Sequence, residues 1–308
     1  MLRKLVQSAL TTSRLQNAFA NSSVGEAAAE QFIAGHHVTD AVDTVLSLKQ
    51  KGLLATVERL IEAPTDEAGS RTNTMAHIDV VRAFAGANLS DDLDITVQLA
   101  TLGLGLANGE AIATENLIKV CQAAADENMS ITLGMGDVDD VSASLRVAHE
   151  VAQRFPTLGL TLQSSLFRSE QDAAVFAASG ARVRLCKGAF ADNKDVAYTN
   201  KADVDKAFVR EMRTLLNSSA YVMIATHDSR LLQIGQALAL RGGRKKDSFE
   251  FQMYLGVATN EQNRLLGLDH RVRIHVPFGE QWYPVVAERV ASQPSSLLSA
   301  TRTLIRRK

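Results

Sequence analysis

Cysteine is almost missing from this chain, which holds two in 308 residues, Cys121 and Cys186, far apart in sequence. That excludes a disulfide framework and a cysteine-based zinc site, and Cys186, inside an apolar run, is expected to pack as a small hydrophobe. An excess of charge of one sign is missing too. Lys and Arg number 33 against 34 Asp and Glu, for a formal net charge of -1, so no global field draws the chain to nucleic acid or to an anionic membrane. Recognition by charge has to be local. No stretch approaches the roughly 18 apolar residues of a spanning helix, and the basic N-terminus M-L-R-K-L-V-Q-S-A-L-T-T-S-R-L-Q lacks the apolar centre of a signal peptide. A cytoplasmic protein is expected. Leu2, Leu5, Val6 and Ala9 share one face of a basic amphipathic segment, and that face reads either as peripheral contact with a membrane or as packing on the domain. H-E-x-x-H, G-x-S-x-G and P-loop patterns are absent. Asp137, Asp139 and Asp140 lack the glycine and glutamate of a calcium loop, so they are read as the polar entry to a helix at Val141, with Asp140 its N-cap, and no metal is expected.

What is present suffices for a large core, since 46% of residues are hydrophobic. The segment over residues 1–21 is amphipathic and basic, and Gly25 to Gln50 reads as continuing helix, with Ala41, Val42, Val45 and Leu48 at helical spacing. After Gly52 the pattern changes. Short β-branched or apolar runs at Leu53–Leu60, Ile95–Leu99, Ile131–Met135, Gly159–Leu162, Val183–Cys186, Tyr221–Thr226, Phe249–Leu255 and Val272–Val276 alternate with amphipathic helices such as Val141–Arg154 and Lys201–Leu216. Such alternation predicts an α/β fold, a (β/α)8 barrel of the TIM type. The expected division is a helical N-terminal arm over residues 1–50 and one barrel domain over residues 51–308.

One strand carries charge where a buried strand should have none. In A-R-V-R-L-C-K-G-A-F, Ala181 to Phe190, Arg184 sits among apolar positions and Lys187 closes the run before Gly188. Structural ion pairs would explain each cation singly; two on one strand, followed by Gly-Ala, favour an anion or cofactor site. Active sites of barrels gather at the C-terminal strand ends, which here offer Gln98, Gly134 to Asp137, Gln163, Lys187, Thr226, His227, Asp228, Gln252, Tyr254 and His275. From residue chemistry alone two enzymatic readings stand. Lys187 is the Schiff-base nucleophile of a lyase, or Arg184 and Lys187 hold an anionic, electron-accepting cofactor.

The segments V-R-L-C-K-G-A-F (Val183 to Phe190), A-T-H-D (Ala225 to Asp228), F-E-F-Q-M-Y-L-G-V (Phe249 to Val257) and V-R-I-H-V-P-F-G-E-Q-W-Y-P (Val272 to Pro284) resemble, in order and strand position, the motifs of the proline dehydrogenase family, closest to its short monofunctional bacterial members. The resemblance runs from about Gly25 to the C-terminus. It implies FAD bound non-covalently at the barrel mouth, oxidation of the C–N bond of L-proline or a related imino acid or amine, and a quinone as electron acceptor. Arg184 matches the arginine that reaches the flavin N5 region, and Lys187, Gly188 and Ala189 match the segment lining the cofactor. Gln163, Thr226, His227 and Gln252 match further cofactor contacts. Arg184 and Lys187 are the expected catalytic residues, as cations that stabilise the reduced flavin.

The substrate half departs from the family pattern. Where the last helix of the family reads W-Y-x-Y-x-x-R-R, this chain has W-Y-P-V-V-A-E-R: Val285 replaces the tyrosine, Glu288 the first arginine, and Arg289 alone remains of the pair that grips the carboxylate. The lysine of the second strand is Gln98, and the acidic position of the third is Gly134. Phe190, Tyr254 and His275 stand where the pattern has Tyr, Leu and Tyr. L-Proline is therefore expected to bind poorly, and a flavin-binding relative without activity on proline is the alternative.

Overall fold

The structure, a computed structural model, describes residues 22–188 and 194–292. Eight parallel strands close into a barrel in chain order: β1 (Leu54–Arg59), β2 (Asp94–Val97), β3 (Ser130–Leu133), β4 (Gly159–Gln163), β5 (Arg182–Cys186), β6 (Tyr221–Ala225), β7 (Phe249–Tyr254) and β8 (Val272–Phe278). The expected fold class is the one found, and each expected strand is present with ends shifted by a residue or two. Every strand alternates. Val57, Ile95, Val183 and Ile224 face outward into the helix layer and are fully buried, whereas the alternate positions point into the lumen and are polar on most strands.

Seven helices follow the first seven strands in turn: α3 (Glu67–Gly86), α4 (Gly109–Asp126), α5 (Val141–Ala152), α6 (Ser169–Ser179), α7 (Lys201–Leu216), α8 (Ser229–Arg241) and α9 (Thr259–Leu266). α7 shows why they form. The Asn200 side chain accepts from the Ala202 N–H at 3.0 Å to start it, and Val204, Phe208, Met212 and Leu215 recur at helical spacing on its buried face. Asp140 precedes α5 in the cap position, but its side chain makes no capping bond. A short 3-10 turn over Val138–Asp140 already holds Asp140 in helical conformation, and an N-cap side chain needs extended backbone to reach the helix.

The reading of one helix from Gly25 to Gln50 is corrected. Two helices occur, α1 (Ser23–Phe32) and α2 (Val38–Gln50), because Gly35 takes φ +138° and the Asp40 carboxylate accepts from the His37 N–H at 2.8 Å to start the second. α2 packs along β8 and β1, where a helix following β8 would lie in a regular barrel. Its Ala41, Val45 and Leu48 belong to the barrel's main core. The helix that does follow β8, α10 (Tyr283–Ser292), packs on α1 instead. Val286 of α10 is buried with Ala28, Phe32 and Val257 in a second apolar cluster, and the α1–α2 joint is tied to the end of β8 by Ala34 N–H to Pro277 O and Gly279 N–H to Gly35 O. The last helix is thereby held at the C-terminal mouth. The segment before residue 22 lies outside the described residues.

Candidate active site at the barrel mouth

The lumen is filled by a buried ionic network. Arg184 of β5 donates to Asp94 of β2 at 3.2 Å, to Thr96 at 3.0 Å and to Gln252 of β7 at 2.7 Å. These strands are not neighbours, so the bonds cross the barrel. Beside them Arg273 of β8 donates to both oxygens of Glu250, at 2.6 and 3.0 Å, and Gln252 donates to Glu250 at 2.6 Å. Burial alone would push the Asp94 carboxyl up, but Arg184, Arg273 and Arg182 outweigh it and hold the group below the usual carboxylate range. Arg184 and Gln252 are thus one connected layer at mid-depth, and the Arg184 cation is already matched by a carboxylate.

Above that layer lies a rim. Glu58, near the end of β1, accepts from the Gln98 amide at 2.9 Å with one oxygen, and its other oxygen lies 2.7 Å from His275 Nε2. Burial pushes the Glu58 carboxyl up; His275, Gln98 and Arg184 more than offset this and keep it ionised at neutral pH. Tyr254 stands edge-on to His275 with ring centres 5.1 Å apart and stacks on His227 at 5.3 Å. The Arg289 guanidinium of α10 lies 3.2 Å over the Tyr254 ring. Burial, then the Arg289 and Lys187 charges, pull the His227 imidazole down to about 4. Its neutral Nε2 accepts from the Tyr254 backbone N–H at 2.9 Å, leaving Nδ1–H as a donor. Gln98, Tyr254, His275 and Arg289, the described polar members of the expected substrate set, therefore meet His227 of the expected cofactor set in one continuous array.

Gln98 also explains Gly134. A Cβ at Gly134 would overlap the Gln98 amide, so the glutamine lies across the place where the family pattern has an acidic side chain. Val285 is half-buried on α10. Ala189 and Phe190 lie outside the described residues, as does the Glu288 side chain.

Lys187 points away from the lumen. Its ammonium lies 2.7 Å from Asp205 of α7 and 3.1 Å from Asp228, which also caps α8. Lys201 and Arg230 share Asp205 at 2.8 and 2.9 Å. The free positive charge expected of Lys187 is absent: both cations of the β5 stretch are matched by carboxylates on other elements. A lysine between two carboxylates is also the opposite of the desolvated, cation-flanked setting that makes an amine nucleophilic. Gly188, with φ +80°, would place a Cβ 2.6 Å from Ser165 Oγ and 2.7 Å from Gln163 Oε1. That Ser165 hydroxyl is buried without a hydrogen-bond partner among the described residues, while Gln163 makes one long bond, at 3.3 Å, to Gly136 O. Thr226 is buried and accepts from the Asp228 N–H at 3.2 Å. Among the described residues no cluster of His, Cys, Asp and Glu could hold a metal ion.

Glu58 is the residue that sequence reasoning missed. It stands in L-A-T-V-E-R of β1, where a glutamate at a lumen-facing step is the same sequence signal as Arg184 on β5.

A family model described as proline dehydrogenase matches residues 41–282. Proline dehydrogenase 2 of Bacillus subtilis (strain 168) is 28% identical over 298 residues, covering 97% of each chain. The proline dehydrogenase of Deinococcus radiodurans is 30% identical over 269 residues, 86% of each. Among solved structures, proline utilization A from Bdellovibrio bacteriovorus, inactivated by N-propargylglycine, superposes with a TM-score of 0.82 at 20% identity, over 91% of this chain. The chain spans about a third, 34%, of that protein's length.

Proposed function

This chain belongs to the proline dehydrogenase family, whose oxidoreductases act on CH–NH donors, and from that premise we propose that it oxidises the C–N bond of a cyclic imino acid or related amine with FAD held at the barrel mouth, passing the electrons to a quinone. The observation that carries the reading is the continuous rim from Gln98 through Glu58, His275, Tyr254 and His227, roofed by Arg289 and underlain by Arg184 and Gln252. The residues fit a flavin nucleotide. Gly188 gives backbone access beside Gln163 and the unpartnered Ser165 hydroxyl, His227 offers a donor, and Arg184 sets a fixed cation beneath the rim. Bound there, FAD would supply the two-electron acceptor. Arg184 would hold its place because Asp94, Thr96 and Gln252 fix the guanidinium, so no reorganisation is needed as negative charge develops above it.

The preferred substrate departs from L-proline. Arg289 is the one arginine left of the family's carboxylate grip, Gln98 is neutral and engaged with Glu58, and Val285 has no hydroxyl. Losing a desolvated charged contact to a carboxylate costs about 2–5 kcal/mol of binding. A weak hold on proline follows, with a KM above the ordinary range of about 1 mM. The Schiff-base reading of Lys187 finds no support in its paired ammonium. Among the described residues no helix is long and apolar enough to cross a membrane.

The test is an absorption spectrum of the purified protein, then anaerobic titration with L-proline and with pyrrolidine, which lacks the carboxylate. A flavin band bleached by pyrrolidine at lower concentration than by proline is the expected result. A colourless protein that cannot be reconstituted with FAD would overturn the proposal. A normal flavin that no amine bleaches would favour the flavin-binding relative without dehydrogenase activity.

A further inference from the structure

We propose that His275, oriented by Glu58, is the catalytic base that takes the proton from the substrate's ring nitrogen, a role for which the family pattern, with tyrosine at this position, offers no imidazole. The inference rests on the amine-oxidation reading above and deepens it. A secondary amine near neutrality is an ammonium, with an ionisation resembling that of lysine, about 10.4, and its nitrogen has no lone pair with which to form C=N. A proton has to leave first.

Two imidazoles stand on the rim, and their hydrogen bonds separate their roles. His227 spends its Nε2 lone pair on the Tyr254 N–H, so Nδ1 carries the proton and cannot accept another. His275 is the reverse. Its Nε2 lies 2.7 Å from an ionised Glu58 oxygen and must donate, which leaves the Nδ1 lone pair bare. No hydrogen bond to Nδ1 occurs among the described residues, and the side chain is 13% exposed at the mouth. Gln98 holds the second Glu58 oxygen at 2.9 Å, so the carboxylate is fixed from both sides. An imidazole whose tautomer and orientation are set by a buried carboxylate is the arrangement used for general-base catalysis, with the carboxylate stabilising the imidazolium that forms. Glu58 is thus a positioning residue.

The groups facing His275 are Glu58 from β1, Arg184 from β5, Tyr254 from β7 and Arg289 from α10. Burial lowers the imidazole's affinity for a proton, Glu58 raises it, and the two arginines lower it again. The net direction is downward, so the ring is neutral, in its base form, at neutral pH. In the step itself the substrate N–H bond breaks and a new N–H bond forms at Nδ1. The freed pair on nitrogen would then form C=N as the adjacent C–H hydrogen leaves with its two electrons, for which bound FAD would be the acceptor, and the imidazolium would return its proton to water.

The experiment uses the FAD-loaded protein and pyrrolidine under anaerobic stopped flow, from about pH 6 to about pH 9, where a base of this kind should keep the bleaching rate level. His275→Gln should instead lose about tenfold in rate for each pH unit below the amine's own ionisation, with partial rescue by added imidazole, and Glu58→Gln should show the same slope more weakly. FAD content should be unchanged in both. A second readout does not depend on turnover: nitrogen NMR of His275 should show the Nε2–H tautomer, with the bare Nδ1 resonance shifting as that nitrogen accepts a hydrogen bond from the ammonium when a pyrrolidine fully methylated at both α-carbons, which cannot be oxidised, is bound. A His275→Gln protein with the native pH profile, or a ring with its proton on Nδ1, would overturn the assignment. If no amine bleached the flavin, the oxidation reading would fail, while a hydrogen bond from the bound ammonium to Nδ1 seen by NMR would still support His275 as the proton acceptor.

Discussion

Asp94 is the most informative single position to perturb, because it supports the arginine on which the cofactor reading depends. It is fully buried and accepts from Thr56 at 2.6 Å, Thr132 at 2.7 Å, Ser130 at 2.9 Å and Arg184 at 3.2 Å. Asp94→Ala removes the acceptor of all these bonds and leaves the Arg184 side chain, 7% exposed, with an unmatched charge. Breaking a buried pair from one side costs about 3–5 kcal/mol. In a domain of this size each kcal/mol moves Tm by about 2–4 °C, so a fall on the order of 10 °C is expected by circular dichroism. Asp94→Ala with Arg184→Met should lose less than Asp94→Ala alone, since no charge then stays buried. The pH dependence has a definite sign. Because the folded-state Asp94 carboxyl lies below its ordinary value, its stabilisation is present above about pH 3.9 and is lost as pH falls through the folded value. The native protein should therefore lose stability in acid more steeply than Asp94→Ala does. A Tm fall under about 2 °C, or a double variant no more stable than the single, would show that Arg184 is not held by this pair.

The Glu211 carboxyl is buried behind β4, takes a hydrogen bond from Ser164 at 2.5 Å, and is pushed by burial up to about 7. The folded state thus binds the extra proton between about pH 4.5 and about pH 7, and stability falls as pH rises through that window; Glu211→Gln should flatten the fall, worth about 3 kcal/mol, and a curve unchanged in calorimetry would refute this. Gly188→Ala places a methyl against Ser165 and Gln163 at φ +80°, so a loss of about 1–3 kcal/mol together with reduced FAD content is expected, and full FAD occupancy would show that the segment does not border the cofactor. Gly134→Asp alone should destabilise by displacing the Gln98 amide from Glu58, and adding Gln98→Lys should recover much of the loss. A thermal double-mutant cycle with coupling below about 0.5 kcal/mol would remove the link between the two positions.

What was legible in the sequence followed from periodicity. The strands declare themselves by outward apolar residues at every second position, and closure in chain order then brings Gln98, Gln163, His227 and His275 toward one end of the barrel without knowledge of any contact. The partners of the charges were not legible. Arg184 finds Asp94 across the lumen and Lys187 finds Asp205 and Asp228 behind the wall, and nothing local distinguishes an aspartate that opens a buried strand from one that caps a helix. The break at Gly35 was hidden for a related reason. The apolar spacing of α1 and α2 is helical in each, and only the glycine's conformation and the return of the chain onto β8 separate them. The last helix's position over the mouth is likewise tertiary, set by the apolar cluster it shares with α1.

The charges of the rim tie the substrate to the base. Glu58 is a carboxylate at the mouth whose neighbour, the Gln98 amide, lies 2.9 Å away, and a lysine at position 98 would neutralise it with a cation that also attracts a substrate carboxylate. With glutamine there, Glu58 keeps its charge, and its remaining strong partner is an imidazole whose proton affinity it raises. Two consequences come from that one replacement. A bound carboxylate loses an attractive charge and meets an uncompensated anion, while a bound ammonium gains one; and the imidazole at 275 acquires the carboxylate that makes it a usable proton acceptor. Loss of the family's grip on an amino-acid carboxylate and gain of a base for a plain amine are therefore the same change seen from the two ends of the ligand, with Arg289 left as the cation that sets how much of the older preference survives.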